Sequence, residues 1–369
     1  VQEMDALFER VLGELGISLE LDLARYDNLR EMVDAALREH ADKPAFTSLG
    51  RTLSYREVDQ LSGQFASWLQ HHTDLEPGDR IAVQTPNLIQ YPVVVFGALR
   101  AGMVIVNTNP LYSERELQHQ FTDAGVKALV VQANVAQTAA KVLPETGVKH
   151  VVVTELADLH PPLKRLLINN VAKHVKKLVP PFSIPGAVSL RQALQLGSRK
   201  PFHPVPAERD QLVMLQYTGG TTGVAKGAML SHGNLMSNVM QADNLFASHG
   251  LGADDSVMVQ PLPVYHIYAF MTCVYSMLNG MHLVFIPNPR DLSSVVKTMA
   301  DYKPSIFCGL NTLFVALCNN PEFRKLDFAR LKVTLSGGMA LSPPVADELK
   351  QVTGCEVAEG YGLTETSPV

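Results

Sequence analysis

Short runs of β-branched and aliphatic residues alternate with stretches of helical periodicity between Arg80 and Val153. The runs 80–83, 103–106, 128–131 and 150–153 predict strands, and 87–100, 113–123 and 134–143 predict the helices between them. Alternation at this spacing predicts a mostly parallel sheet with helices on its faces. Upstream, 5–17 and 28–40 predict two amphipathic helices, the second opened by Asn28 with Glu31 three positions on. Residues 47–53 predict a hairpin around Gly50. Ser54 with Glu57, and Leu53 with Val58 as a hydrophobic staple, open a helix running to Gln70. Ser113 with Glu116 repeats the capping signature.

The proline-rich stretch 161–206 interrupts the rhythm, and a second alternating block follows from Gln211. Its predicted strands are 212–216, 256–260, 282–285, 305–308 and 332–335, and its helices 234–249, 265–279, 293–301, 310–319 and 343–353. The chain therefore reads as α/β, with two mostly parallel α/β lobes. The expected division is an N-terminal helical segment 1–44, a first lobe 45–190, a connector 191–206 and a second lobe 207–369.

A chain of 369 residues with 46% hydrophobic and 18% charged side chains has the core of a folded multi-lobed protein, not of a disordered one. A net charge of −5 argues against a nucleic-acid partner. Four cysteines, at 273, 308, 318 and 355, have neither metal-site spacing nor the density of a disulfide scaffold, so a cytoplasmic location is expected. No apolar run approaches a membrane span. The chain ends in a polar cluster directly after a turn, as one domain of a longer protein would. Residues 161–180 carry Lys164, Arg165, Lys173, Lys176 and Lys177 without an acid, interleaved with leucines and valines at helical spacing. This reads as a basic amphipathic helix, either docked on its own domain, lying on the inner face of the cell membrane, or meeting another subunit in a homodimer.

The sharpest local signal is Tyr217-Thr218-Gly219-Gly220-Thr221-Thr222-Gly223-Val224-Ala225-Lys226-Gly227, directly after a short apolar strand. Glycines let successive N–H groups converge on an anion, threonine hydroxyls add donors, and Lys226 brings a point charge suited to phosphate. It is not a Walker A loop, because Lys226 lies between Ala225 and Gly227.

This loop resembles the signature of the adenylate-forming superfamily of acyl-CoA synthetases, peptide-synthetase adenylation domains and luciferases. Two positions depart from the usual pattern: Gly219 stands for a serine and Ala225 for a proline. Glu359-Gly360-Tyr361-Gly362-Leu363-Thr364-Glu365-Thr366 is similar to the family's adenine-and-magnesium segment. Pro261-Leu262-Pro263-Val264-Tyr265-His266 resembles the segment whose histidine lies near the acyl group, and Gly337-Gly338-Met339 the strand end lining the adenine and acyl pockets. Arg51 to Tyr55 with Glu57 resembles the N-terminal scaffold. The likeness runs from about residue 28 onward and is nearest to bacterial long-chain fatty-acyl-CoA synthetases.

The resemblance implies the large N-terminal domain of such an enzyme: two α/β lobes with a smaller distorted β subdomain, and a separate C-terminal domain beyond Val369. It implies ATP, Mg²⁺ and coenzyme A, with a long-chain fatty acid joined first to AMP and then to the CoA thiol. The 217–223 loop and Lys226 would hold phosphates; Gly338 and Gly360 to Gly362 would hold the adenine; Thr364 would meet the α-phosphate. Glu365 and Thr218 would hold the metal. His266, Phe270, Gly337, Gly338 and Met339 would border the acyl group, with Phe270 as a gate. Alternatives are a fatty acyl-AMP ligase or other carboxylate-adenylating enzyme on the same fold, and a non-catalytic nucleotide- or lipid-binding relative.

Overall fold

Strands in the computed structural model, which describes residues 2–14, 17, 21–219, 224–247 and 256–369, sort into two sheets of seven. In chain order they are β1 (Pro44–Ser48), β2 (Arg51–Ser54), β3 (Arg80–Gln84), β4 (Val104–Asn107), β5 (Val126–Gln132), β6 (His150–Thr154) and β7 (Val188–Ser189). The second half supplies β8 (Leu212–Thr218), β9 (Lys226–Ser231), β10 (Val257–Gln260), β11 (His282–Phe285), β12 (Ile306–Gly309), β13 (Val333–Ser336) and β14 (Val357–Glu359). One sheet runs β7-β6-β5-β3-β4-β8-β9 and the other β14-β13-β12-β10-β11-β1-β2. Every pairing is parallel except β8 with β9 and β1 with β2, one antiparallel edge pair on each sheet. The interior strands β4, β12 and β13 are buried along their whole length, as parallel strands covered on both faces require.

The local start signals are realised. Asn28 accepts from the Glu31 N–H ahead of the helix Leu29–Glu39. Ser54 and Glu57 form a reciprocal capping box on Tyr55–His72, and Ser113 and Glu116 do the same on Glu114–Asp123. Leu49 and Gly50, at φ of 50° and 73°, close the β1–β2 hairpin in the left-handed conformations that a two-residue turn demands. All four cysteines are buried and unpaired. Among the described residues, no helix is long and apolar enough to cross a membrane.

Sheet membership crosses the linear division 45–190 and 207–369. β1 leaves its neighbours in sequence to pair with β11, setting Phe46 opposite Leu283, and the Phe46 ring stacks on Phe285 at 5.6 Å. β8 and β9 go the other way, β8 pairing with β4 in the first sheet. The stretch 191–206 is not purely connector: the helix Leu190–Gly197 packs on Tyr55–His72 so closely that a Cβ on Gly197 would lie 1.9 Å from the Gln64 carbonyl oxygen. No third, smaller β unit is seen among the described residues, whose strands all belong to the two sheets.

This exchange of strands gives the sheets one shared core, in which Phe46, Tyr55, Phe96, Met214, Met258 and Phe270 form a single cluster. Polar side chains stitch the seam. The buried Tyr55 hydroxyl donates to the carbonyls of Met281 (2.8 Å) and Ser276 (3.0 Å). Asn87 donates to the carbonyls of Leu262 (2.9 Å) and Gln260 (3.3 Å) and accepts from the Val264 N–H (2.9 Å). Thr47 and His282 are hydrogen-bonded at 2.7 Å between β1 and β11. Within the first half, buried Arg100 ties three helices together, donating to Asp34 Oδ1 and Ser62 Oγ (2.8 Å each) and bonding the Asp59 carboxylate. A buried guanidinium is tolerated only with such complete pairing.

Two outcomes follow for stability. Arg100→Ala removes one of the two guanidinium partners of the buried Asp34 carboxylate, Arg30 remaining on Oδ2 at 2.8 Å, and should cost about 2–4 kcal/mol in urea unfolding. Burial pushes His232 and His282 down to about 4 from an ordinary 6.5. The unfolded chain therefore takes up protons that the folded chain refuses, and stability should fall as pH drops from 6.5 towards about 4. His282→Gln should flatten that slope in unfolding curves measured across the window.

Candidate functional site

The segments singled out by sequence all leave the carboxyl ends of strands. β8 ends at Thr218 ahead of the glycine loop, and β9 begins after it with Lys226 opposite Thr218, so the strands flanking the loop form an antiparallel pair. β10 ends at Gln260 and leads into Pro261 to His266; β13 leads into Gly337 and Gly338; β14 leads into Gly360 to Glu365. In α/β sheets the crevice beyond these ends is where ligands bind. Three contacts draw the segments together. Gln216 on β8 donates to the Tyr265 carbonyl at 2.8 Å, and the Gly360 N–H donates to the Ser336 carbonyl at 2.8 Å. The turn Thr364–Thr366 packs beside β9, where Glu365 and Thr366 share a polar cleft with Ser231 and Asn234; Ser231 pairs with Leu212, so this cleft lies at the end of the hairpin away from the glycine loop and Glu365 is not brought to Thr218.

The hairpin that bears the loop is held by one helix. Tyr217 is buried and its hydroxyl donates to Asp123 at 2.5 Å, burial and this carboxylate both raising its pKa. Its ring thus turns towards Glu114–Asp123, and a Cβ on Gly227 would come within 2.9 Å of it. One turn earlier on that helix, His119 Nε2 is bonded to the Ala225 carbonyl at 2.8 Å. The carbonyl can only accept, so His119 carries its proton on Nε2. Thr218 is half-buried, while Gly219 and Lys226 are exposed. Gly220, Thr221, Thr222 and Gly223 lie outside the described residues.

An apolar cavity of about 310 Å³ adjoins these polar segments. It lies between the helices His232–Ala247 and Ile267–Leu278 and the ends of β13 and β14, with Val239, Phe246, Met271, Tyr275 and Leu335 in its wall and Gly360 and Tyr361 bordering it. Tyr361 is 85% exposed, a free aromatic face next to an apolar space. Phe270 is not in this wall: it is 1% exposed and belongs to the shared core. The same helix presents Tyr268, Met271, Thr272 and Tyr275 to the cavity instead. Their spacing of i, i+3, i+4 and i+7 defines one helical face, a signal present in the sequence but masked by a helix that is apolar all round.

The remaining positions are distinct. Gly337 is buried beneath Tyr268, whose ring a Cβ would meet at 3.0 Å, and Gly338 holds a φ of +82°. Met339 and Gly362 are exposed, and Thr364 is half-buried. His266 stands at the start of Ile267–Leu278 with its ring 4.8 Å from that of Tyr265. Solvent reaches His266, yet the protein massed around it lowers its pKa, so it is neutral near pH 7. Glu365 is exposed, and among the described residues no three His, Cys, Asp or Glu side chains cluster as a metal cage.

The AMP-binding enzyme family model matches residues 33–369. The chain is 44% identical over 352 residues to a long-chain-fatty-acid–CoA ligase of Haemophilus influenzae, covering 95% of this chain and 62% of that protein. It thus spans just over three-fifths of that relative's length. In fold it is similar to an anthranilate CoA ligase crystallised with anthranoyl-AMP (TM-score 0.78, 19% identity, 93% of this chain and 61% of that one). A long-chain-fatty-acid-CoA ligase from Archaeoglobus fulgidus is comparable (TM-score 0.77, 22% identity, 96% and 67%).

If His119 and Asp123 clamp the hairpin, His119→Ala should speed hydrogen exchange at the 224–226 amides roughly two- to tenfold, the worth of one neutral hydrogen bond. His119→Gln, which keeps a donor, should restore protection, with little change in global melting for either variant.

Proposed function

The chain belongs to the AMP-binding enzyme family, and from that membership we propose that it serves an ATP-dependent ligase that activates a long-chain fatty acid. In the first step the fatty carboxylate attacks the α-phosphorus of ATP, giving an acyl adenylate and pyrophosphate. In the second the coenzyme A thiol attacks the acyl carbonyl, giving the thioester and releasing AMP. The observation that carries this reading is an apolar cavity of about 310 Å³ bordered by Gly360 and Tyr361, whose segment runs on into a polar turn packed on β9. One space suits an alkyl chain and the adjoining one a nucleotide. The name of the Haemophilus relative supports a long-chain acid as the substrate.

Joining two anions calls for charge neutralisation and alignment more than for acid–base groups. Thr218, Gly219 and the 220–223 segment would receive the β- and γ-phosphates with N–H and hydroxyl donors, and Lys226 would add a cation. Tyr361 between Gly360 and Gly362, together with Gly338, would take the adenine on its exposed face. Thr364 would donate to the α-phosphate. Gly337, Met339 and His266 would border the reacting carboxylate, the neutral imidazole adding no charge of its own. Mg²⁺ keeps most of its waters and is held by one or two carboxylates together with substrate phosphates. An exposed Glu365 suits that habit, but its cleft lies beside Ser231, five residues along β9 from the Lys226–Thr218 pair, so Glu365 would hold the ion without Thr218, and the ion when bound would supply neutralisation of the phosphate charge.

Titration of the folded chain with Mg·ATP and with a non-hydrolysable acyl-adenylate mimic tests the assignment. Lys226→Ala should weaken ATP binding roughly ten- to a hundredfold, the scale of a charge-assisted hydrogen bond. Glu365→Gln should remove the Mg²⁺ dependence while leaving the mimic bound. Unchanged titrations for both variants would overturn these roles.

A further inference from the structure

The helix Pro162–Asn170 and the turn Val171–Val175 after it are built inside out. Leu163, Leu166 and Leu167 share one helical face, and that face points to solvent: Leu163 is 84% exposed, and Leu166 and Leu167 nearly two-thirds. Val175, at 72%, and Leu178 continue the apolar surface. The opposite side holds the segment to the protein. Asn169 accepts from the Ala157 N–H at 2.9 Å and donates to the Glu155 carboxylate at 2.8 Å, and Ala172 is buried. A helix that turns its polar anchor inward and its leucines outward has the polarity of a partner other than water.

Charge decides which partner. Lys164, Arg165, Lys173, Lys176 and Lys177 flank the leucines with no acid anywhere in 161–180. Among the described residues none of the five is paired with a carboxylate. A second copy meeting this face about a two-fold axis would set five cations against five. A bilayer rich in anionic lipid meets both demands, taking the leucines below its headgroups and the cations among them. We infer that residues 161–178 dock the protein on an anionic membrane surface. The surface lies apart from the proposed adenylation site, so it stands or falls without it.

Vesicle co-sedimentation of the folded chain tests this, using phosphatidylcholine alone and phosphatidylcholine mixed with phosphatidylglycerol. The chain should bind only the mixed vesicles, and less as salt rises. Each cation near such a surface contributes a factor of about five. Lys173→Glu, Lys176→Glu and Lys177→Glu combined should therefore lower binding at least a hundredfold. Leu163→Gln, Leu166→Gln and Leu167→Gln combined should abolish it. Both variants alter exposed side chains, so their melting temperatures should match the parent and separate lost docking from lost folding. Failure of the folded parent to bind mixed vesicles, or equal binding by parent and variants, would overturn the inference. So would a parent dimer in lipid-free size exclusion that the leucine variant dissolves, since a second copy would then cover the face.

Discussion

The exchange of strands between the two sheets is the constraint on which the rest depends. β1 crosses into the second sheet and β8 and β9 into the first, so the largest core cluster is built from both halves of the chain. The seam then has buried polar groups that must be satisfied across it. Tyr55 and Asn87 do this from the first half, meeting carbonyls and an N–H of the second. Asn87 in particular fixes the backbone of 260–264 just ahead of His266, so the interlock also positions the strand ends that form the candidate site.

That geometry explains how a polar and an apolar space come to adjoin. The glycine-loop hairpin belongs to the first sheet, while the 360–365 segment grows out of the second. The turn Thr364–Thr366 packs on β9 across the seam, with its polar cleft at the Ser231 end of the hairpin. The apolar cavity lies between the helices His232–Ala247 and Ile267–Leu278 and the ends of β13 and β14. The interlocking of the two sheets thus sets how the polar strand-end segments lie against the apolar wall, with no single loop doing so.

Much of this was legible in the chain and some was not, for physical reasons. Capping boxes at Ser54 and Ser113 are local interactions within four residues, and both formed where expected. Central strands are recognisable because burial on both faces selects continuous apolar runs. Sheet membership is not local: nothing near 44–54 says that its partner is β11, more than two hundred residues away. β9 was hidden because its lysine and glycine extend the loop signature, and β14 because it is three residues long and partly exposed. The orientation of Ile267–Leu278 was ambiguous since nearly every residue is apolar, which is why Phe270 rather than Tyr268, Met271 or Tyr275 was expected at the acyl space. The basic stretch 161–180 was recognised as an amphipathic helix, but only its anchoring through Asn169 decides that the leucines face outward.

The central claim is that one cavity at the seam receives the acyl chain of a ligand whose nucleotide lies on the 359–365 segment. The most direct measurement is a calorimetric titration with adenylate mimics of increasing tail length, on the parent chain and on Ala242→Trp, which fills the cavity from the helix His232–Ala247. Affinity for the parent should rise with each added methylene, by up to about 0.8 kcal/mol apiece, and in Ala242→Trp that gain should vanish while the short-tailed mimic binds as before. A tail-length dependence that is unchanged in Ala242→Trp would contradict the account, because the chain would then lie elsewhere.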